Sequence, residues 1–134
     1  MTDEIELARR AVACDGWRWM PGMLTDCGLV VYAHDHCSPY LMGVRLDDTR
    51  VRPECLAIPH DALPNLTDPA TLGCVLALVR EVWGDPLICT AVDNTGAGWW
   101  VEGWADKRPD SNLHDTEAAA LVAALEAAPV GGVS

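Results

Sequence analysis

The stretch from Asp68 to Pro86 limits the fold more than any other part of the chain. Asp68 is a good N-cap, and Pro69 stands at the first helical position, where its missing N–H costs nothing. From Ala70 to Trp83, the residues Leu72, Val75, Leu76, Val79, Val82 and Trp83 recur at helical spacing and form a wide apolar stripe. Gly84 closes the helix and Pro86 prevents its continuation. Arg80 and Glu81 fall off the stripe. Gly73 costs about 1 kcal/mol in a helix interior, which close packing there would offset. A stripe this wide has to be covered by a sheet or a partner, so the rest of the chain must supply one.

The flanking segments supply strands and two more helices. Residues 3–14 predict an amphipathic helix capped by Asp3, with Glu6 placed as in a capping box and Gly16 as its stop. Its stripe is Ile5, Ala8 and Val12, widened by Ala11 and Leu7. The segment Trp17–Met23 is dense in aromatic and methionine residues, with a turn at Pro21-Gly22. Leu29–Ala33 and Tyr40–Leu46 read as strands, and Cys55–Ile58 as an edge strand between Pro53 and Pro59. Leu87–Val92 and Trp99–Trp104 read as a second pair around the turn-forming residues Asp93–Gly98. Residues 105–113 are polar and read as irregular. A last helix is expected from about Thr116 to Ala128, capped by Asp115, burying Ala118, Leu121, Val122 and Leu125 and ended by Pro129. The order is α-ββ(β)-α-ββ-α, an α+β fold with helices packed on one face of a mainly antiparallel sheet.

The chain has 134 residues, of which 50% are hydrophobic and 22% charged. That suits one globular domain over 1–134, with residues 130–134 as a frayed tail. Twenty acids against nine bases leave a net charge of −11, and Lys107 is the only lysine. Sequence-independent grip on a phosphate backbone needs Lys and Arg in quantity, so nucleic-acid binding is not expected. Cationic protein partners are electrostatically allowed. No apolar stretch reaches the 18 residues of a spanning helix, so no membrane role is expected. The acidic start Asp3-Glu4-Ile5-Glu6 is unlike a secretory leader and points to the cytoplasm.

Three phrases carry a resemblance: Trp17-Arg18-Trp19-Met20-Pro21-Gly22-Met23, the run Leu63–Cys74, and Glu117–Glu126. Together they resemble small uncharacterised proteins encoded by tailed bacteriophages and prophages. The resemblance implies phage origin and work in the cytoplasm of an infected bacterial host. It brings no catalytic residues with it.

Chemistry-bearing clusters are few. His34-Asp35-His36-Cys37 has metal-ligand atoms, with Cys27 as a distant addition, but its turn context matches no zinc spacing and no metal is expected. The six cysteines, Cys14, Cys27, Cys37, Cys55, Cys74 and Cys89, contain no C-x-x-C pair and read as reduced thiols, with Cys74 and Cys89 as core side chains. His60-Asp61 and His114-Asp115 are neighbours in sequence only. Gly96-Ala97-Gly98 is followed by a strand, not by the helix a phosphate loop needs. No G-x-S-x-G elbow occurs. No catalytic residue and no cofactor are therefore expected.

Tryptophan is the surplus: six residues, with no phenylalanine. On the strand 99–104, Trp99 and Val101 face one way while Trp100, Glu102 and Trp104 face the other. With one face on the helices, Trp100, Glu102 and Trp104 form the expected interface, for a homodimer or a host protein. The expected function is a non-enzymatic accessory protein that binds protein. The alternatives are a small enzyme or metal- or ligand-binding domain built on His34–Cys37, and a virion structural component.

Overall fold

A computed structural model describes residues 3–32, 41–93, 95–96, 98–103 and 110–128, with side chains for all but 110–112. The element order is α1 (Glu4–Val12), β1 (Leu29–Val31), β2 (Met42–Arg45), β3 (Cys55–Ala57), α2 (Pro69–Trp83), β4 (Cys89–Val92), β5 (Trp99–Glu102), β6 (Asp110–His114) and α3 (Glu117–Glu126). The class is α+β, as expected. The strands divide into two antiparallel sheets, β1-β2-β3 and β4-β5-β6. β6 lies where irregular chain was expected. The chain forms two compact units, Trp19–Cys74 on the one hand and Met1–Arg18 with Val75–Ser134 on the other, and the boundary falls inside α2. No helix among the described residues is long and apolar enough to cross a membrane.

In the unit Trp19–Cys74, the chain turns at Pro21-Gly22 and runs back along β1. Val31 N–H donates to Met23 C=O at 2.8 Å, and Thr25 N–H to Leu29 C=O at 2.9 Å. That run covers the outer edge of β1. Asp26 and Leu24 in turn hold the segment 63–65 through backbone bonds. Met23, Leu29, Val31, Ile58 and Leu66 form the apolar core, with Thr25 and Thr71 as its buried polar members.

α2 starts as its sequence predicts: Asp68 Oδ2 accepts from Thr71 N–H at 3.0 Å. It ends in a Schellman motif, with Gly84 at φ +63°. There Gly84 N–H donates to Glu81 C=O and Asp85 N–H to Arg80 C=O, at 3.2 and 3.0 Å. The deepest positions are Thr71, Val75, Leu78 and Val79. Leu72, Leu76, Val82 and Trp83 are only half-buried. The stripe is thus rotated from the expected one toward Thr71 and Leu78. A helix apolar nearly all round leaves the centre of its buried face undetermined by periodicity.

Gly73 is exposed, and a Cβ there would meet no atom within 4 Å, so close packing does not explain it. Gly73→Ala is therefore expected to raise stability by about 0.5–1 kcal/mol through helix propensity and unfolded-state entropy. A thermal melt checks this, and a lowered midpoint would contradict the open surroundings of Gly73.

In the second unit, α3 packs against α1 and against β4, β5 and β6. This double cover explains why Ala118, Ala119, Ala120, Leu121, Val122, Ala124 and Leu125 are all buried. Thr116, not Asp115, caps α3, since its extended backbone lets its side chain accept from Ala119 N–H. α1 buries Leu7, Ala8 and Ala11, while Ile5 is exposed. An exposed, two-pronged Arg10–Glu126 ion pair joins α1 to α3, and the small Ala8 and Ala11 face inward while Ile5 does not. Asp3 caps α1 through Ile5 N–H at 3.0 Å. Gly16 does not stop α1, which ends on Ala13 in ordinary helical conformation. Its role is close approach: a Cβ at Gly16 would overlap Val82 Cγ1.

Candidate interaction surface

β4 and β5 form a hairpin closed by Asp93 N–H donating to Gly98 C=O at 2.8 Å. Inside the loop, Thr95 Oγ1 donates to Asp93 Oδ2 and Gly96 N–H to Asp93 C=O, so this glycine pair closes a turn. The register pairs Cys89 with Glu102, Thr90 with Val101, Ala91 with Trp100, and Val92 with Trp99. Residues paired across strands share a face. Thr90 Oγ1 donates to Glu117 Oε1 of α3 at 3.3 Å, which places the Thr90–Val101 face against α3. Val101 is accordingly 1% exposed.

The other face carries Cys89, Ala91, Trp100 and Glu102. Trp100 Nε1 donates to Glu102 Oε1 at 2.7 Å. Two residues apart on one strand, the pair satisfies the indole N–H within β5 and leaves the ring's apolar body to other contacts. Both side chains are half-buried. From β6, Leu113 lies beside Gly98, where a Cβ would come within 3.0 Å of Leu113 Cβ, and Leu113 is 53% exposed. Trp104, the third expected interface residue, lies outside the described residues, as do Lys107 and Arg108.

Two features of this face escape sequence reasoning. Leu113 sits in a polar segment with no period-two alternation to mark it as strand. Cys89, expected in the core, is exposed on the outer face. It belongs to an apolar run that resembles a buried strand, but β4 is at the rim of its sheet.

The other candidates come together less. His34, Asp35, His36 and Cys37 lie outside the described residues. Among the described residues, no three His, Cys, Asp or Glu side chains converge as a metal ion would need. The described cysteines are free thiols. Burial pushes the Cys14 and Cys74 thiols up, the opposite of what activates a nucleophile. Cys14 Sγ instead bonds Arg10 C=O, and Cys74 Sγ bonds Pro21 C=O. His60 and Asp61 are both exposed in a turn. No family model, no curated protein and no solved structure matches the chain.

Proposed function

We propose that the chain is a non-enzymatic accessory protein of a phage or prophage, acting by protein–protein binding in the bacterial cytoplasm through the face of β4-β5-β6 that carries Trp100 and Glu102. The Trp100–Glu102 pair carries this reading. A tryptophan whose N–H is already bonded can be covered by a partner without leaving a buried donor unsatisfied. An ionised carboxylate offers about four acceptor sites, so Glu102 has capacity for a cation from the partner as well. The net charge of −11 favours approach of a basic protein over a second acidic copy on this face. The partner is therefore a host protein that presents an apolar surface with an Arg or Lys in it. Phage origin is supported by the resemblance carried by Trp17–Met23, Leu63–Cys74 and Glu117–Glu126.

The test is capture from bacterial lysate on immobilised wild type, Trp100→Ala and Glu102→Lys, followed by affinity measurement with the purified partner. Trp100→Ala is expected to weaken binding at least about tenfold, in the range of an interface anchor. Glu102→Lys should abolish it, and added salt should weaken the wild-type complex. No captured protein, or one held equally by all three forms, would refute the proposal.

A further inference from the structure

Among the described residues, the two sheets together have four outer edges, and three of them are protected. The edge of β1 is covered by the run Met23–Thr25, through backbone bonds on either side of the Leu24–Val30 bridge. β3 is three residues long and is flanked by Pro53 and Pro59. β6 is irregular, with its register shifting between its pairings to Trp99 and Val101. Short strands, prolines and bulges are the usual devices against edge-to-edge pairing.

β4 is also short, at four residues, but it lacks the other devices. Its sequence Cys89-Thr90-Ala91-Val92 holds no charge, no proline and no bulge. In an antiparallel ladder the bonding residues alternate. Asp93 bonds Gly98 and therefore sets the phase, so Ala91 and Cys89 bond across to β5 while Thr90 and Val92 direct N–H and C=O outward. Among the described residues, no partner is found for these four groups. The next outward carbonyl, that of Ile88, is taken: Arg80 Nε donates to it at 2.7 Å. Val92 is 49% exposed at the free end of the edge.

We infer that β4 pairs antiparallel with β4 of a second copy of this chain, joining two β4-β5-β6 sheets into one of six strands. The free groups choose the register. With a two-fold axis through Ala91, Thr90 of each copy faces Val92 of the other, and all four outward groups of each strand are bonded. Moving the axis to Thr90 would set Val92 against Ile88, whose carbonyl Arg80 already holds. The chosen register needs nothing bulky at the axis, where two Ala91 side chains meet with Cβ atoms about 4.5–5.5 Å apart. A second copy is preferred to an unrelated peptide because this spacing of donors and acceptors complements itself about a two-fold axis. With four bonds at the seam and −11 on each copy, association is reversible and strengthens as salt screens the repulsion. This salt response is opposite to that of the basic partner, and the pairing uses backbone groups rather than the Trp100 ring.

Sedimentation of the full chain over a concentration range, in low and high salt, tests the pairing. A monomer–dimer equilibrium favoured by salt is expected, unchanged in Trp100→Ala. Val92→Pro removes an N–H that the intramolecular ladder does not use, so it should give a monomer that melts where wild type melts at concentrations too low for pairing. Ala91→Cys puts two thiols across the axis and should yield a covalent dimer through residue 91 on mild oxidation, whereas Cys89, opposite Asp93 in this register, has no thiol across the seam. A wild type that stays monomeric at all concentrations and salts overturns the inference. So does an Ala91→Cys chain that fails to cross-link, and this arm holds even if Val92→Pro fails to fold.

Discussion

Leu78→Ala is expected to destabilise the chain by about 2–5 kcal/mol, the range for a fully enclosed leucine cut to alanine with partial collapse of the cavity. Leu78 is 0% exposed and lies between Val75 and Val79, which are equally enclosed. Leu76, only two residues away, is half-buried. Leu76→Ala should therefore cost roughly half as much or less, because part of its surface already touches water. Urea unfolding reads the difference directly. With a slope of about 1–3 kcal/mol per molar, Leu78→Ala moves the midpoint down by about 1 M or more. Equal shifts for the two variants would mean that the buried face of α2 is centred elsewhere.

The contrast between these two leucines also marks how far the sequence is legible. The ends of α2 are local: a cap, a proline at the first position and a glycine after the last each act within a few residues, and all three stand where expected. The burial direction is not local. In Leu76-Ala77-Leu78-Val79, apolar residues point several ways, and tertiary packing chooses among them. Ile5 on α1 and Cys89 on β4 show the same thing, an apolar side chain that the fold leaves outside. Strand pairing is less local still. Nothing in Leu29–Val31 or Cys89–Val92 says whether the strands join one sheet or two, and β6 has no apolar alternation at all. At the candidate surface, period-two alternation separates Val101 from Trp100 and Glu102, since strand geometry imposes it whatever the packing. The phase of the β4 edge was not legible, because it depends on which carbonyl Asp93 meets across the hairpin.

Thr71→Val is the second substitution expected to have a large effect, about 1–3 kcal/mol, although it preserves shape. Thr71 is 0% exposed, and its hydroxyl does two things at once. Its Oγ1 accepts from Leu24 N–H at 2.9 Å and donates to Asp68 Oδ2 at 2.9 Å. Valine leaves the Leu24 N–H buried with no acceptor, and the desolvation of that donor sets the magnitude. Thr71→Ser keeps the hydroxyl and should cost much less, so the pair isolates the hydrogen bond from the loss of volume. Asp68→Ala is expected to cost about 0.5–2 kcal/mol through the lost cap. The Asp68→Ala/Thr71→Val double variant should then fall short of the sum, because both substitutions break the same Asp68–Thr71 bond. Strict additivity would show that the Asp68–Thr71 side-chain bond contributes nothing, and a Thr71→Val variant as stable as wild type would show that the hydroxyl does not hold the run Met23–Thr25 to the start of α2. Since that run also covers the edge of β1, its release would expose a second unprotected strand edge, and Thr71→Val should aggregate on heating where Thr71→Ser does not.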